Sequence, residues 1–269
     1  MTGTGHWVMY TYEAGGIGEK LKFYVPDGRP SERITRKERS ALKRYEQKVR
    51  SAQRHLARLI NANFHNGDIL LGMDYSPDGM NKILDWGREN GYPVDSLDEN
   101  ERRDAVWEAA AHEMECCLRR VKTELRKENT ELKYVVITSD MDPDTKEQVR
   151  VHHHLVINKE AKEAFLKKWK KLGTVDYEPL WSNQKDRTWI AEYFLNQVRR
   201  IPDAKKYRYS RNLVNPKPKK RICHSEAEIR VPKNCNLLSR SEFAPGEIQY
   251  IRYELPPRHG SPPDDTTEA

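Results

Sequence analysis

The sequence predicts an α+β fold, and three observations carry that reading. Two apolar strand segments, Lys133–Asp140 and Gln148–Asn158, flank the turn residues Met141-Asp142-Pro143-Asp144, the pattern of a β-hairpin. A long helical stretch, Glu101–Lys127, precedes the hairpin, with Trp107, Ala110, Met114, Cys117, Val121 and Leu125 at three- and four-residue steps. Shorter helices and strands alternate around these two elements. Helices with one apolar stripe, interleaved with strands, are best buried by packing on a sheet.

In chain order, Trp7–Tyr12 and Leu21–Val25 read as two short strands with Gly15-Gly16-Ile17-Gly18 turning between them. Ser31–Ile60 reads as a helix. Within it, Arg33–Arg58 holds ten Lys or Arg against two Glu, which suits either a solvated face or an arm along a phosphate backbone. Asp68–Ser76 is a short strand of the buried type, closed by Pro77-Asp78-Gly79. Met80–Glu99 reads as a loop-rich crossing with one or two helical turns. Ala161–Leu172 is a helix ended by Gly173, Val175–Leu180 a strand, and Asp186–Arg200 a helix with Asp186 as its cap. Arg199–Arg221 has ten Lys or Arg against one acid, with Tyr207 and Tyr209 interleaved, a composition that suits stacked bases and neutralised phosphates. The chain after about Glu242 is rich in Pro and polar residues, and Pro256–Ala269 reads as disordered.

Composition narrows the partner. Charged residues make up 33% of the 269, hydrophobic ones 36%, and the formal net charge is +7. Mean hydropathy is −0.94 and the pI about 9.1. That balance favours an anionic partner, nucleic acid before an acidic membrane surface. No apolar run approaches the ~20 residues of a membrane helix, and Met-Thr-Gly-Thr-Gly-His is not a signal peptide, so a soluble intracellular protein is expected. Cys116, Cys117, Cys223 and Cys235 are expected as reduced thiols, with a zinc site of Cys223, His224 and Cys235 as the rival reading.

The chemistry concentrates in Val151–Asn158, Val-His-His-His-Leu-Val-Ile-Asn. On a strand, His152 and His154 share one face, roughly 7 Å apart, and His153 looks away. Two imidazoles on one face can grip one divalent cation. In Asp186–Arg200, Ile190, Ala191, Phe194, Leu195 and Val198 form the apolar face. Tyr193, Gln197 and Arg200 sit on the neighbouring face at helical spacing. His112 and Glu113 fall beside the stripe of the long helix and are expected to pack at the core edge.

Three stretches resemble the motifs of the HUH endonuclease superfamily, and within it the rolling-circle replication initiators of bacterial plasmids and phages. Asp68–Ser76 is similar to the first motif, a core strand. Arg150–Asn158 is similar to the second, which binds metal, and Ile190–Gln197 to the third, the nucleophile helix. Tyr207–Leu213 resembles a segment that follows the tyrosine in phage-type initiators. The resemblance implies a five-stranded antiparallel sheet with flanking helices over residues 61–215. A basic helical N-terminal arm (1–60) would precede it, and a largely irregular C-terminal extension (216–269) would follow.

The implied activity is metal-dependent nicking and strand transfer on single-stranded origin DNA, through a 5′-phosphotyrosine link and a free 3′-hydroxyl, in the cytoplasm of a bacterial host. Tyr193 is the implied nucleophile, with Tyr207, Tyr209 and Tyr177 as rivals. His152 and His154 are the implied ligands of Mg²⁺ or Mn²⁺. Gln197 is the first candidate for a third ligand, ahead of Glu147, Gln148 and Glu113. DNA contacts fall to Arg199, Arg200, Lys205, Lys206, Tyr207, Arg208 and Arg211. Many relatives carry a Lys three or four residues after the tyrosine. Here those positions are Asn196 and Gln197, so Arg199 or Arg200 would serve the phenolate. No second Tyr stands four residues from Tyr193, which points to a single-tyrosine initiator. No NTP-binding loop occurs, so a host helicase and polymerase are implied. The alternatives are a mobilisation relaxase or single-strand transposase of the same fold, a non-catalytic DNA-binding regulator, and an unrelated zinc hydrolase.

Overall fold

The structure is a computed structural model that describes residues 5–26, 41–181, 185–199, 206–223, 227–243 and 248–256, with backbone alone at 26, 41–47 and 243. In chain order its elements begin with β1 (Gly5–Ala14), β2 (Ile17–Pro26), α1 (Ala41–Asn63), β3 (Ile69–Tyr75), α2 (Pro77–Glu89) and α3 (Glu99–Lys127). They continue with β4 (Tyr134–Met141), β5 (Gln148–Ile157), α4 (Lys162–Trp169), β6 (Gly173–Pro179) and α5 (Thr188–Asn196). The last are β7 (Arg208–Tyr209), β8 (Lys219–Cys223), β9 (Asn236–Phe243) and β10 (Ile248–Glu254). The fold is α+β, with two five-stranded antiparallel sheets. Among the described residues no helix is long and apolar enough to cross a membrane.

The chain divides into two units: residues 1–63, 182–189 and 214–269, and residues 64–181 and 190–213. In the first, the strand order is β8-β1-β2-β10-β9. The β1–β2 hairpin turns at Gly15, which has φ +59° and so close an approach to the Asn61 carbonyl that a Cβ would collide. Helix α1 buries Leu56, Leu59 and Ile60 completely. Its arginines also turn inward: Arg58 lies 3.9 Å from the Tyr12 ring centre and pairs with the buried Glu19 at 3.1 Å. Arg54 lies over the Tyr250 ring at 5.0 Å.

Two expectations are corrected here. The basic stretch is not a free arm from Arg54 on, because Arg54 and Arg58 lie against a sheet and Leu56, Leu59 and Ile60 are buried. Residues 31–40 lie outside the described residues. The C-terminal extension is not largely irregular either: it supplies β8, which pairs with β1, β10, which pairs with β2, and β9, which pairs with β10. β1 and β2 lie some 200 residues from β8 and β10 in the sequence, so no local hairpin signal marks those two pairings. Cys223 and Cys235 are free thiols, and His224 and the tail from 257 lie outside the described residues.

In the second unit the strand order is β6-β3-β5-β4-β7, with β5 at the centre. Alternation splits β5 between two faces. Val151, His153, Leu155 and Ile157 face a core built with α3 and α4, where Met114, Cys117, Phe165 and Trp169 are fully buried. His152, His154 and Val156 face the other way, toward α5. Helix α3 starts at Asp98, whose side chain accepts from the Glu101 N–H at 2.9 Å. It ends at Asn129, which takes φ +53°.

Helix α2 replaces the loop-rich crossing expected at Met80–Glu99. Ser76 caps it by accepting from the Gly79 N–H at 3.1 Å, and Pro77 occupies its first turn. The same Ser-Pro-Asp-Gly letters read as a turn because a helix start and a turn use the same chemistry. Gly79 is needed because the Leu172 carbonyl occupies the space of a Cβ.

Candidate metal and tyrosine site

The pairing register builds the site. His152 stands beside Asp74 of β3 and Ser139 of β4, and His154 beside Gly72 and Ile137. The two imidazole centres lie 4.9 Å apart with their planes at 83°. Each Nε2 reaches the Oε1 of Gln197, at 3.1 Å from His152 and 3.0 Å from His154. Tyr193 completes the group: its hydroxyl is 3.4 Å from the His154 Nε2, and its ring meets the His154 ring edge-on at 5.0 Å.

Helix α5 stops at Asn196, short of the expected Arg200, so Gln197 is not a helical residue. It still reaches the histidines, because a last turn, with its N–H donating to the Phe194 carbonyl at 3.2 Å, carries it on from the helix end. Gln197 is 1% exposed. Its carbonyl accepts from the Ser139 hydroxyl at 2.7 Å, and its Nε2 donates to the Tyr193 carbonyl at 3.3 Å. The second bond sets the amide with Oε1 toward the imidazoles.

These contacts test whether a cation fits. The Nδ1 of His152 donates to the Arg150 carbonyl at 2.9 Å, and the His154 ring is hydrogen-bonded by the Leu71 backbone. Backbone partners at Nδ1 leave a lone pair on Nε2 of a neutral ring. Burial, then the nearby His152, pushes the His154 pKa down to about 4, so the ring is uncharged at neutral pH. In the tautomer with the proton on Nδ1 of each ring, two Nε2 lone pairs and the Gln197 Oε1 converge. Acceptors facing acceptors repel, and a divalent cation between them removes the repulsion. Two nitrogens and one neutral oxygen also leave coordination positions open. Among the described residues no three His, Cys, Asp or Glu side chains form such a group. The set depends on an amide.

The phenol of Tyr193 is half-buried. Burial raises its pKa, Asp142, Asp144 and Asp74 raise it further, and the Gln197 hydrogen bond opposes them. Among the rivals, Tyr177 pairs with Leu71 and so projects to the face opposite His154. Tyr209 lies on edge strand β7, its ring 6.2 Å from that of Tyr207. Glu113 is committed to Arg120 at 2.5 Å, while Glu147 and Gln148 are exposed at the far end of the hairpin. His112 stacks on Trp86 at 3.9 Å. His153 is fully buried between the Tyr75 hydroxyl at 2.9 Å and the Thr138 hydroxyl at 3.0 Å, and burial holds its pKa well below the ordinary value.

The basic residues divide. Arg199 grips Asp140 through Nε at 2.8 Å, contacts Asp104, and donates to the Arg103 carbonyl at 3.1 Å. It ties the segment after α5 to β4 and α3 and does not stand free for DNA or the phenolate. Arg208 pairs with Glu115 and donates to the Ala111 carbonyl at 3.3 Å. Lys206 and Tyr207 are partly buried and Arg211 is exposed. Arg200 and Lys205 lie outside the described residues. Sequence reasoning missed Ser139, Asp140 and Asp74. The position of Ser139 opposite His152 in the hairpin was the one available signal.

No protein-family model matches this chain, and neither a curated protein nor a solved structure is a match to it. The reading of the site rests on its own geometry.

Proposed function

We propose that the chain is a metal-dependent endonuclease of the HUH type, a rolling-circle initiator that nicks single-stranded origin DNA. The observation that carries the reading is the convergence of His152, His154 and Gln197 within 3.1 Å, with the Tyr193 hydroxyl 3.4 Å from one of those imidazoles. Neither a core histidine nor a surface amide requires that arrangement. The sheet order, with the histidines on its central strand and the tyrosine on a helix over the same face, suits the fold that this reading requires.

In this mechanism Tyr193 is the nucleophile. Its Oη forms a bond to phosphorus, the bond from phosphorus to the 3′-oxygen breaks, and the phenolic proton leaves to solvent while the 3′-oxygen takes one up. The products are a 5′-phosphotyrosine and a 3′-hydroxyl primer. His152, His154 and Gln197 would hold Mg²⁺ or Mn²⁺, which when bound would withdraw charge from the scissile phosphate and favour the phenolate. Ser139 fixes Gln197, and the backbone carbonyls of Arg150 and Leu71 orient the imidazoles. Host helicase and polymerase would act on the primer.

The test is incubation with labelled single-stranded oligonucleotides and Mg²⁺ or Mn²⁺, followed by denaturing electrophoresis. A covalent adduct lost in Tyr193→Phe supports the enzyme. Binding without an adduct makes the chain a regulator, and cutting that persists in Tyr193→Phe makes it a hydrolase using water. A relaxase or transposase of the same fold would form the same adduct and differ only in its preferred DNA.

A further inference from the structure

The second unit carries another feature at its β7 edge, a groove of about 910 Å³ between α3 and the β7 segment. Arg119, Lys122 and Arg126 line one wall, at steps of three and four along one helix face. Arg208, Tyr209 and Arg211 line the other. Both lining acids are committed: Glu115 pairs with Arg208, and Glu131 accepts from Asn212 at 3.0 Å. Arg119 donates to the Cys116 Sγ at 2.9 Å. Among the described residues, Arg119, Lys122, Arg126 and Arg211 have no ion pair, and with the Glu131 carboxylate counted against them the groove keeps an excess of three positive charges. Tyr209 is 38% exposed at its rim, 6.2 Å from the Tyr207 ring.

We propose that this groove binds a single-stranded nucleic acid, with Lys122, Arg126 and Arg211 on its phosphates and Tyr209 offering a stacking face to its bases. The chemistry matches the ligand: cations in a row neutralise a backbone, and a ring at the rim accepts any base. A structural ion-pair network would have balanced these charges, as it does at Arg208. The inference rests on the nickase reading only for the identity of the strand. Strand β7 is the sheet edge, two places or about 10 Å from β5, and α3 lies on the face opposite Tyr193, so a strand held at Tyr193 would cross β4 and pass round the β7 edge to enter the groove.

The experiment uses the full chain and two fluorescent probes, a long oligothymidylate and a short oligonucleotide confined to the scissile region. In Lys122→Glu/Arg126→Glu, affinity for the long probe at low salt should fall at least about tenfold, and the log–log salt slope should shrink by about 1.4. Adduct formation on the short oligonucleotide should be unchanged. An unchanged salt slope overturns the proposal, as does a duplex that binds the groove as tightly as the single strand. Should the wild-type protein form no adduct while the double variant still loses the long probe, the nickase reading fails and the groove assignment stands.

Discussion

The Ser139 hydroxyl donates to the backbone carbonyl of Gln197 at 2.7 Å, joining β4 to the residue where α5 has already ended. The Gln197 N–H still donates to the Phe194 carbonyl at 3.2 Å, and the buried Ser139 bond holds its carbonyl side, so the two together set where its side chain can aim. Ser139→Ala leaves a buried carbonyl unpaired, at a cost of about 1–3 kcal/mol. Removing the support behind a ligand should also weaken Mn²⁺ binding by about 10- to 100-fold. Isothermal titration with Mn²⁺, beside a urea melt, separates the two effects. Lost stability with unchanged Mn²⁺ affinity would remove Gln197 from the ligand set.

His154 makes the stability of the metal-free protein depend on pH. The folded protein keeps the ring neutral down to about 4, whereas the unfolded chain takes up a proton below 6.5. The unfolded state therefore binds more protons between those values, and stability rises with pH across that window. It is fully present above 6.5 and is lost progressively as the pH falls toward 4, by roughly 3 kcal/mol from this group. His153 acts in the same direction. Urea midpoints measured with chelator should fall from pH 7 to pH 5, and His154→Gln should flatten that slope. An equal slope in the variant would place the effect elsewhere.

In the proposed reaction Tyr193 would attack as the phenolate, and its environment holds the proton on. Burial comes first, followed by the carboxylates of Asp142, Asp144 and Asp74. Because the deprotonated form attacks, the single-turnover rate should rise with pH, about tenfold per unit, until a bound cation or the phenol's own pKa levels it. Asp144 is exposed, so Asp144→Asn should leave the fold intact and raise the rate at neutral pH by a few-fold. A rate independent of pH between 6 and 9 would show that deprotonation of Tyr193 does not limit the chemistry.

Local pattern explains which parts of this site were legible. The His-x-His alternation of β5, the apolar stripe of α3 and the four-residue step from Tyr193 to Gln197 are all short-range features, and each corresponds to an element or a contact in the structure. What the sequence hid is long-range or irregular. The register between β4 and β5 slips between Ser139 and Met141. That bulge lets Ser139 reach Gln197 while Asp140 reaches Arg103 and Arg199. No periodicity encodes such a slip. Charge counting also misread α1, where Arg54 and Arg58 lie against tyrosines of strands at opposite ends of the chain.

Arg199 offers the sharpest contrast between a structural role and a DNA-binding one. Its side chain is 12% exposed and that of Asp140 5%, and Arg103 approaches the same carboxylate at 2.6 Å. Burial pushes the Asp140 pKa up, but hydrogen bonds from Arg199 and Arg103 outweigh it and leave the carboxyl below its ordinary value. Asp140→Ala would leave two guanidinium groups facing each other, partly desolvated, at a cost of about 3–5 kcal/mol. Arg199→Ala leaves Asp140 still paired with Arg103 and should cost less, about 1–2 kcal/mol. Arg199→Lys cannot reproduce the forked contact with Asp140 and should behave like the alanine variant. Urea melts of the three variants give the ranking, and oligonucleotide affinity should stay within about twofold of wild type in both Arg199 variants. If Arg199→Ala instead keeps full stability and loses DNA affinity, this arginine belongs to the DNA interface and Asp140 is held by Arg103 alone.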